Sequence, residues 1–191
     1  MIRLFIAWPL SQEIEQELGR ISFLLKQKGG RVSWVAPTNI HLTARFLGDT
    51  DEKLVCEIGA LMDKVAATST PVECTLDRLG AFPDLKRPRV IWVGFGPNTE
   101  PLAKMSDALE RGAQELGFAP ETKRFRPHLT LGRVKDADRL EGLMMAVQQF
   151  RVTPMSFVFD RLVLFKSTLT PSGAIYERLH EARLCSPERL A

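Results

Sequence analysis

Residues 126–130 read Arg126-Pro127-His128-Leu129-Thr130, and the last three repeat an earlier tripeptide, His41-Leu42-Thr43. The chain contains three histidines, and two of them begin this tripeptide. At ordinary residue frequencies a given histidine is followed by Leu-Thr about once in 200 times. We therefore regard the repeat as the feature around which the rest of the chain is organised.

Both tripeptides lie in segments with the composition of β-strands, and residues 125–131 include an aromatic residue, two leucines and the β-branched Thr130. In a strand, residues i and i+2 point to the same face of the sheet. We therefore expect two pairs of side chains that project together, His41 with Thr43 and His128 with Thr130.

Each predicted pair combines an imidazole with a hydroxyl group. Imidazole gives or takes a proton near neutral pH, and a hydroxyl group donates a hydrogen bond. Two such strands facing each other would place a general base and a general acid on either side of a substrate. This chemistry requires no metal and no cofactor, and only His180 remains as a further histidine ligand, so we expect neither.

The composition is that of an ordinary globular protein. The chain has 191 residues, of which 45% are hydrophobic and 26% are charged. Lys and Arg number 26 against 23 Asp and Glu, which gives a formal net charge of +3 at pH 7. This mildly basic balance permits a partner that carries phosphate without requiring one.

The compartment and the assembly state are predicted from what the sequence lacks. The three cysteines show no paired spacing, which indicates a reducing compartment, the cytoplasm. The first residues contain no basic leader, and no apolar run is long enough to cross a membrane. Since no coiled-coil pattern is present, we expect a monomer.

Apolar periodicity predicts an alternation of helices and strands. Four helices are predicted over residues 12–28, 54–65, 100–116 and 138–150, and eight strands over 2–8, 31–35, 40–47, 72–79, 89–95, 125–134, 157–165 and 175–179.

The order helix, His strand, helix occurs twice, with the two histidines 128 − 41 = 87 residues apart. This repetition predicts a duplicated unit with pseudo-twofold symmetry. We expect residues 1–191 to form a single domain of two lobes, each contributing one His-x-Thr strand to a cleft between them.

Five segments in order resemble the 2H phosphoesterase superfamily, and specifically the RNA 2′,3′-cyclic phosphodiesterases, which are also called 2′-5′ RNA ligases. The resemblance covers nearly the whole chain. The segments are RLFIAWPL (residues 3–10), WVAPTNIHLTARFLG (34–48), RPRVIWVGF (87–95), RPHLTLGR (126–133) and FKSTLTPSGAIYE (165–177).

This resemblance implies a bilobal α+β fold, in which antiparallel sheets line a central cleft and helices pack outside. It also implies a set of site residues in two groups. Those expected to be catalytic are His41, Thr43, His128 and Thr130, and those expected to bind substrate are Arg133 near the phosphate and Phe46 as a stacking surface for the nucleotide.

Arginine and lysine residues near the motifs have two interpretations. Arg126, beside the second motif, either contacts phosphate or is a solvated charge. The same choice applies to a basic rim that could steer RNA, composed of Lys86, Arg87, Arg89, Lys123 and Arg124.

The activity implied by the resemblance is metal-independent hydrolysis of 2′,3′-cyclic phosphate ends of RNA or nucleotides to a 2′-phosphate. By analogy with the family, His128 is the base and His41 the acid that protonates the 3′ oxygen. The reverse reaction would join a 5′-hydroxyl to the cyclic phosphate in a 2′-5′ bond. We expect a bell-shaped pH profile with both limbs near neutral pH.

Two alternatives keep parts of this interpretation. Another 2H activity, on 2′-5′ oligonucleotides or an ADP-ribose cyclic phosphate, would use the same histidines and threonines in a different pocket. A non-catalytic RNA-binding module would have no need for two His-x-Thr units, which argues against it.

Overall fold

The computed structural model describes residues 1–136, 138–171 and 173–185, and the chain forms helices and strands in the predicted alternation. The helices are α1 (Gln12–Lys26), α2 (Val55–Ala67), α3 (Glu100–Glu115) and α4 (Glu141–Gln149). The strands are β1 (Ile2–Trp8), β2 (Val32–Trp34), β3 (Leu42–Thr50), β4 (Val72–Phe82), β5 (Val90–Phe95), β6 (Leu129–Val134), β7 (Ser156–Phe159), β8 (Arg161–Thr170) and β9 (Gly173–Arg183).

The strands form two antiparallel sheets, which confirms the predicted α+β class. The first sheet has the order β3-β1-β8-β9, and the second has the order β2-β6-β5-β4-β7. Without β2, the order of the second sheet is β6-β5-β4-β7. In each sheet, the strand that begins after a histidine (β3 or β6) pairs with an earlier strand (β1 or β5), and a helix lies between the two strands in the sequence. The topology is therefore repeated, as the pseudo-twofold prediction requires.

The two strands that follow the histidines also share a β-bulge at the same position relative to the threonine. After Thr43 the register of β3 against β1 slips by one residue, which leaves Ala44 as the extra residue. After Thr130 the register of β6 against β5 slips in the same way, which leaves Leu131. Sequence similarity between the two halves ends at the tripeptide, but their backbone pairing continues to match beyond it.

The bulge determines which side chains follow each threonine on the same face. Phe46 lies opposite Phe5 in the first sheet, and Arg133 lies opposite Val90 in the second. Because directly opposed residues of a ladder share a face, the third residue after each threonine returns to the side of that threonine. Phe46 and Arg133 therefore occupy equivalent positions in the two halves.

Two helices pack on the side of the sheet to which their preceding strand does not belong. The first half of the chain here means the elements up to β3 and α2, and the second half means those from β4 onwards. Helix α2 packs against β8 and β9, and α3 packs against α2 and β3, so a helix from the second half covers the first sheet. Helix α1, from the first half, packs against α4, which in turn contacts β4. The buried apolar side chains beneath these helices form one continuous cluster that draws on both sheets. Among the helices of the described ranges, none has the length and apolar character needed to cross a membrane.

The predicted strand over residues 157–165 is wrong in one respect, because it is two strands. Strand β7 pairs with β4 in the second sheet, and β8 pairs with β1 in the first. Asp160 lies between the two strands, where the chain passes from one sheet to the other. The polar pair Asp160-Arg161 interrupts the apolar run at this point, but two polar residues also occur within a single strand, so the pattern alone did not reveal the change of sheet.

Candidate active site

His41 and His128 occupy matching positions, each one residue before the first residue of its strand. The ring Nδ1 of His41 lies 2.8 Å from the carbonyl oxygen of Asn39, and that of His128 lies 2.6 Å from the carbonyl oxygen of Arg126. A carbonyl oxygen only accepts hydrogen bonds, so Nδ1 carries the hydrogen in both rings. Each neutral imidazole therefore keeps its lone pair on Nε2, the atom left to act on a substrate.

His41 lies against aromatic side chains on the face of the first sheet opposite the helices. Its ring stacks on Phe5, with the centroids 4.6 Å apart, and meets the edge of Tyr176 at 5.5 Å. Phe5 and Phe165 belong to a small buried cluster that is separate from the main core, with Tyr176 packed against it. The stacked and edge-on contacts with this cluster fix the ring plane of His41.

His128 has an aromatic wall of its own, built by the second sheet. Phe82 meets the ring of His128 edge-on at 4.9 Å and packs against Trp92 at 5.0 Å. Trp92 lies opposite Gly80, where an added Cβ would come within 2.3 Å of the indole ring. A side chain at Gly80 would therefore displace Trp92 and, through Phe82, the support of His128.

Two hydroxyls and one guanidinium group complete the predicted polar set. Thr43 and Arg133 are exposed, and Thr130 is half-buried. Within the part of the chain that the structure describes, none of these three side chains is engaged in a hydrogen bond or an ion pair. They are thus available to an anion that enters between the histidines.

The pKa values of the histidines reflect their surroundings. Burial lowers the pKa of His41 to about 4, since the hydrogen bond to Asn39 offsets only part of this effect and the positive charges of Arg133 and His128 lower the value further. Burial also lowers the pKa of His128, again with a contribution from Arg133. Both histidines therefore lie within electrostatic range of the same guanidinium group, and both are neutral at pH 7 in the ligand-free protein.

A cleft of about 830 Å³ joins the two sheets. Thr43 and Phe46 line it from the first sheet, and Phe82 and His128 line it from the second. Phe46 is 41% exposed, and the guanidinium group of Arg3 lies over its ring at 4.8 Å from the centroid. Arg126 also lines the cleft, with its guanidinium 6.0 Å from the centroid of Phe82.

The predicted basic rim is divided between two cavities. Lys123 and Arg124 line the cleft that contains His128. Lys86, Arg87 and Arg89 line a separate groove of about 1220 Å³, beside the start of α4. The five residues therefore do not form one continuous edge.

Arg45, which sequence reasoning missed, connects strand β3 to the segment before β6, and it lines the cleft together with Glu110 and Glu121. Its side chain is 5% exposed, with Nε 2.6 Å from Glu110 and Nη1 2.7 Å from Glu121. Its Nη2 donates to the carbonyl oxygen of Ala119 at 2.6 Å. These contacts attach the segment that leads into His128 to strand β3 of the first half.

The third histidine lies apart from this site. His180, on β9, places Nε2 2.8 Å from the Asp63 carboxylate on α2. Across the described ranges, no three His, Cys, Asp or Glu side chains are grouped closely enough to hold a metal ion.

Comparisons with known proteins identify relatives that match nearly the whole chain. An RNA 2′,3′-cyclic phosphodiesterase from Thermotoga maritima is 34% identical over 183 residues, which is 95% of this chain and 95% of that protein. A protein of the same name from Aeropyrum pernix is 34% identical over 174 residues, which is 91% of this chain and 98% of that protein.

Solved structures share the fold. A protein from Thermus thermophilus superposes with a TM-score of 0.80 at 26% identity, over 97% of this chain and 100% of that one. E. coli LigT, complexed with 3′-AMP, has a TM-score of 0.77 at 24% identity, over 97% of this chain and 99% of that one. The family model of the 2′-5′ RNA ligase superfamily matches residues 11–170, and the chain belongs to that superfamily.

Proposed function

We propose that this protein is an enzyme that hydrolyses 2′,3′-cyclic phosphate ends of RNA or nucleotides to 2′-phosphates. The observation that carries the proposal is the matched pair of histidines, each with Nδ1 bonded to a backbone carbonyl and Nε2 left free. Curated relatives of 31–34% identity over most of the chain are named for this activity.

The reaction needs a base on one side of the phosphorus and an acid on the other. In the proposed assignment, Nε2 of His128 takes a proton from water as the water oxygen bonds to phosphorus. The bond from phosphorus to O3′ breaks in line, and His41 gives its Nε2 proton to O3′. The product carries a 2′-phosphate, and the two histidines have exchanged protonation states.

Negative charge grows on the non-bridging oxygens during this step. The hydroxyls of Thr43 and Thr130 donate hydrogen bonds to these oxygens, and Arg133 supplies a positive charge and further donors. The nucleobase stacks on Phe46, and Arg126 binds phosphate from the wall that also carries His128. Thr43, Phe46 and Arg126 line the cleft, and Thr130 and Arg133 follow His128 on one face of β6, which supports these roles.

The acid acquires its proton together with the substrate. In the free protein, burial and two neighbouring positive charges hold the pKa of His41 down to about 4. A bound cyclic phosphate carries one negative charge, which opposes Arg133 and favours the imidazolium form. Substrate binding therefore charges the acid that the reaction consumes.

The same residues also support ligation, when a 5′-hydroxyl group takes the place of water. His128 then removes the proton from this hydroxyl as its oxygen bonds to phosphorus, and His41 protonates O3′ as that oxygen is released. The 2′ oxygen stays on phosphorus, so the product contains a 2′-5′ bond. Water at its bulk concentration favours hydrolysis.

The chain is further proposed to act as one domain, as a monomer, in the cytoplasm and without a metal ion or cofactor. The crossing of α1 and α3 between the halves supports the single domain. The arrangement of the acid and the base on protein side chains supports the metal-free mechanism.

The test is the hydrolysis of 2′,3′-cyclic AMP, and of a short RNA with a cyclic phosphate end, in the presence of EDTA. We expect the wild type to form the 2′-phosphate and both His41→Ala and His128→Ala to lose activity by at least about 10²-fold. His180→Asn is the matched control, because that histidine pairs with Asp63 away from the cleft. A folded wild type that hydrolyses only 2′-5′ oligonucleotides or an ADP-ribose cyclic phosphate would transfer the mechanism to that substrate.

A further inference from the structure

The two halves are not equivalent at one position beside the phosphate site. Histidine matches histidine and threonine matches threonine, but the bulges place Phe46 where the other half has Arg133. The wall that carries His41 therefore lacks, on its own His strand, the polar group that Arg133 provides opposite.

A polar side chain near His41 comes instead from another strand, and this residue is Tyr176. It lies on β9, and its ring meets Phe5 edge-on at 5.0 Å and His41 edge-on at 5.5 Å. Phe165 lies beside it with the centroids 6.1 Å apart. The ring is thus fixed by aromatic neighbours and in contact with one of the two histidines.

The hydroxyl group of Tyr176 has no hydrogen-bond partner among the described residues. The side chain is half-buried. Burial raises the pKa of Tyr176, so the group stays a neutral O–H donor, while the charge of Arg133 acts in the opposite direction. The hydroxyl therefore lies within electrostatic range of the guanidinium across the cleft.

Asn39 holds the tyrosine strand in register with the histidine. Its side-chain Nδ2 donates to the carbonyl oxygen of Ala174, two residues before Tyr176, at 2.8 Å. The backbone carbonyl oxygen of the same asparagine accepts from Nδ1 of His41 at 2.8 Å. One residue thus fixes the orientation of His41 and the position of β9 beside it.

From this geometry we propose that the Tyr176 hydroxyl is a substrate-binding group, which donates a hydrogen bond to a phosphate oxygen on the His41 side of the cleft. It is the counterpart of Arg133 in the half that carries Phe46. The inference rests on the proposed function for the identity of the substrate, but the binding of a phosphate group can be measured without turnover.

The kinetic test compares Tyr176→Phe with the wild type on 2′,3′-cyclic AMP. The phenylalanine keeps the ring that packs on His41 and removes only the donor, so we expect kcat/KM to fall about 10- to 100-fold with unchanged thermal stability. Thr168→Val is the matched control, because it removes an exposed hydroxyl from the opposite face of the same hairpin. Wild-type kinetics in Tyr176→Phe would overturn the proposal and leave the proposed function intact.

A spectroscopic test separates the two proposals. Tyr176 is the only tyrosine of the chain, so biosynthetic 3-fluorotyrosine gives one ¹⁹F resonance. We expect 2′-AMP and inorganic phosphate to shift this resonance, and adenosine or sodium chloride at equal ionic strength to leave it in place. If the wild type hydrolyses no cyclic phosphate, a phosphate-dependent shift still supports the role of Tyr176, and a resonance that phosphate does not move overturns it.

Discussion

At the scale of single residues, the backbone fixes the tautomer and the ring orientation of each histidine. Both Nδ1 atoms are bonded to the carbonyl oxygen two residues earlier, so each ring is oriented by its own loop rather than by a carboxylate. A carboxylate partner would raise the pKa of the imidazolium, whereas a carbonyl is a weaker acceptor that leaves burial dominant. The consequence is a pair of histidines that are neutral until an anion arrives.

This arrangement revises the expected pH dependence. The parameter kcat/KM reports the free enzyme, in which the acid must be protonated and the base neutral. Because the pKa of His41 is lowered to about 4 and that of His128 is also lowered, kcat/KM should begin to fall with rising pH below the ordinary histidine pKa of about 6.5. The alkaline limb of kcat should lie at higher pH, because the bound phosphate favours the imidazolium.

Burial is the main cause of the lowered pKa values, and Arg133→Gln tests the additional contribution of the Arg133 charge. Removing the charge should raise the pKa of both histidines toward the ordinary value, so the alkaline limb of kcat/KM moves to higher pH even as its maximum falls by about 10²-fold. NMR titration of the imidazole Hε1 resonances measures the pKa values directly. A profile whose limbs stay in place in this variant would contradict the electrostatic coupling.

At the scale of elements, the site depends on how the segment before β6 is attached to β3. Arg45 makes this attachment from a buried position, through Glu110, Glu121 and the carbonyl of Ala119. The same strand carries Thr43 on its other face, so one strand both forms the first wall and fixes the approach to the second.

Arg45→Met should destabilise the protein by about 2–3 kcal/mol, because it leaves the Glu110 carboxylate without its nearest cation. Glu121 is 40% exposed, so its pair with Arg45 contributes little to this value. Urea unfolding measures the loss. The double variant Arg45→Met with Glu110→Gln should recover part of it, and a double variant whose two losses simply add would exclude a coupled pair.

Several features of the elements follow from the sequence, and others do not. The apolar stripes predict the helices and strands, and the repeated tripeptide singles out the two histidines as candidate site residues. The register slip after Thr43 and Thr130 does not, because a bulge has no compositional signal here and its effect on Phe46 and Arg133 depends on the partner strand. Tyr176 belongs to the tail segment that resembles the family, but only the fold brings it into contact with His41.

At the scale of the whole molecule, the halves are interlocked by their helices. Helix α3 of the second half covers β3 of the first, where the Ser106 hydroxyl donates to the carbonyl oxygen of Ala44 at 2.9 Å. Strand β2 of the first half extends the second sheet by pairing with β6. Each sheet therefore combines strands that are distant from one another in the sequence.

This interlocking predicts that the halves cannot fold apart. A fragment of residues 1–98 lacks α3, β6, β8 and β9, so its apolar surfaces have no cover. We expect the fragment to show a poorly dispersed ¹H-¹⁵N spectrum, and the full chain to unfold in one urea transition followed equally by tryptophan fluorescence and far-ultraviolet circular dichroism. A well-dispersed fragment, or two separated transitions, would contradict the interlocking.

The strand order of the first sheet also has a consequence for synthesis on the ribosome. Strands β1 and β3 are translated before β8 and β9, yet β1 is flanked on its other side by β8, and the tyrosine beside His41 lies on β9. His41, the first of the two histidines to leave the exit tunnel, is therefore the last to be enclosed. A nascent chain cannot complete the proposed site until β9 has been translated.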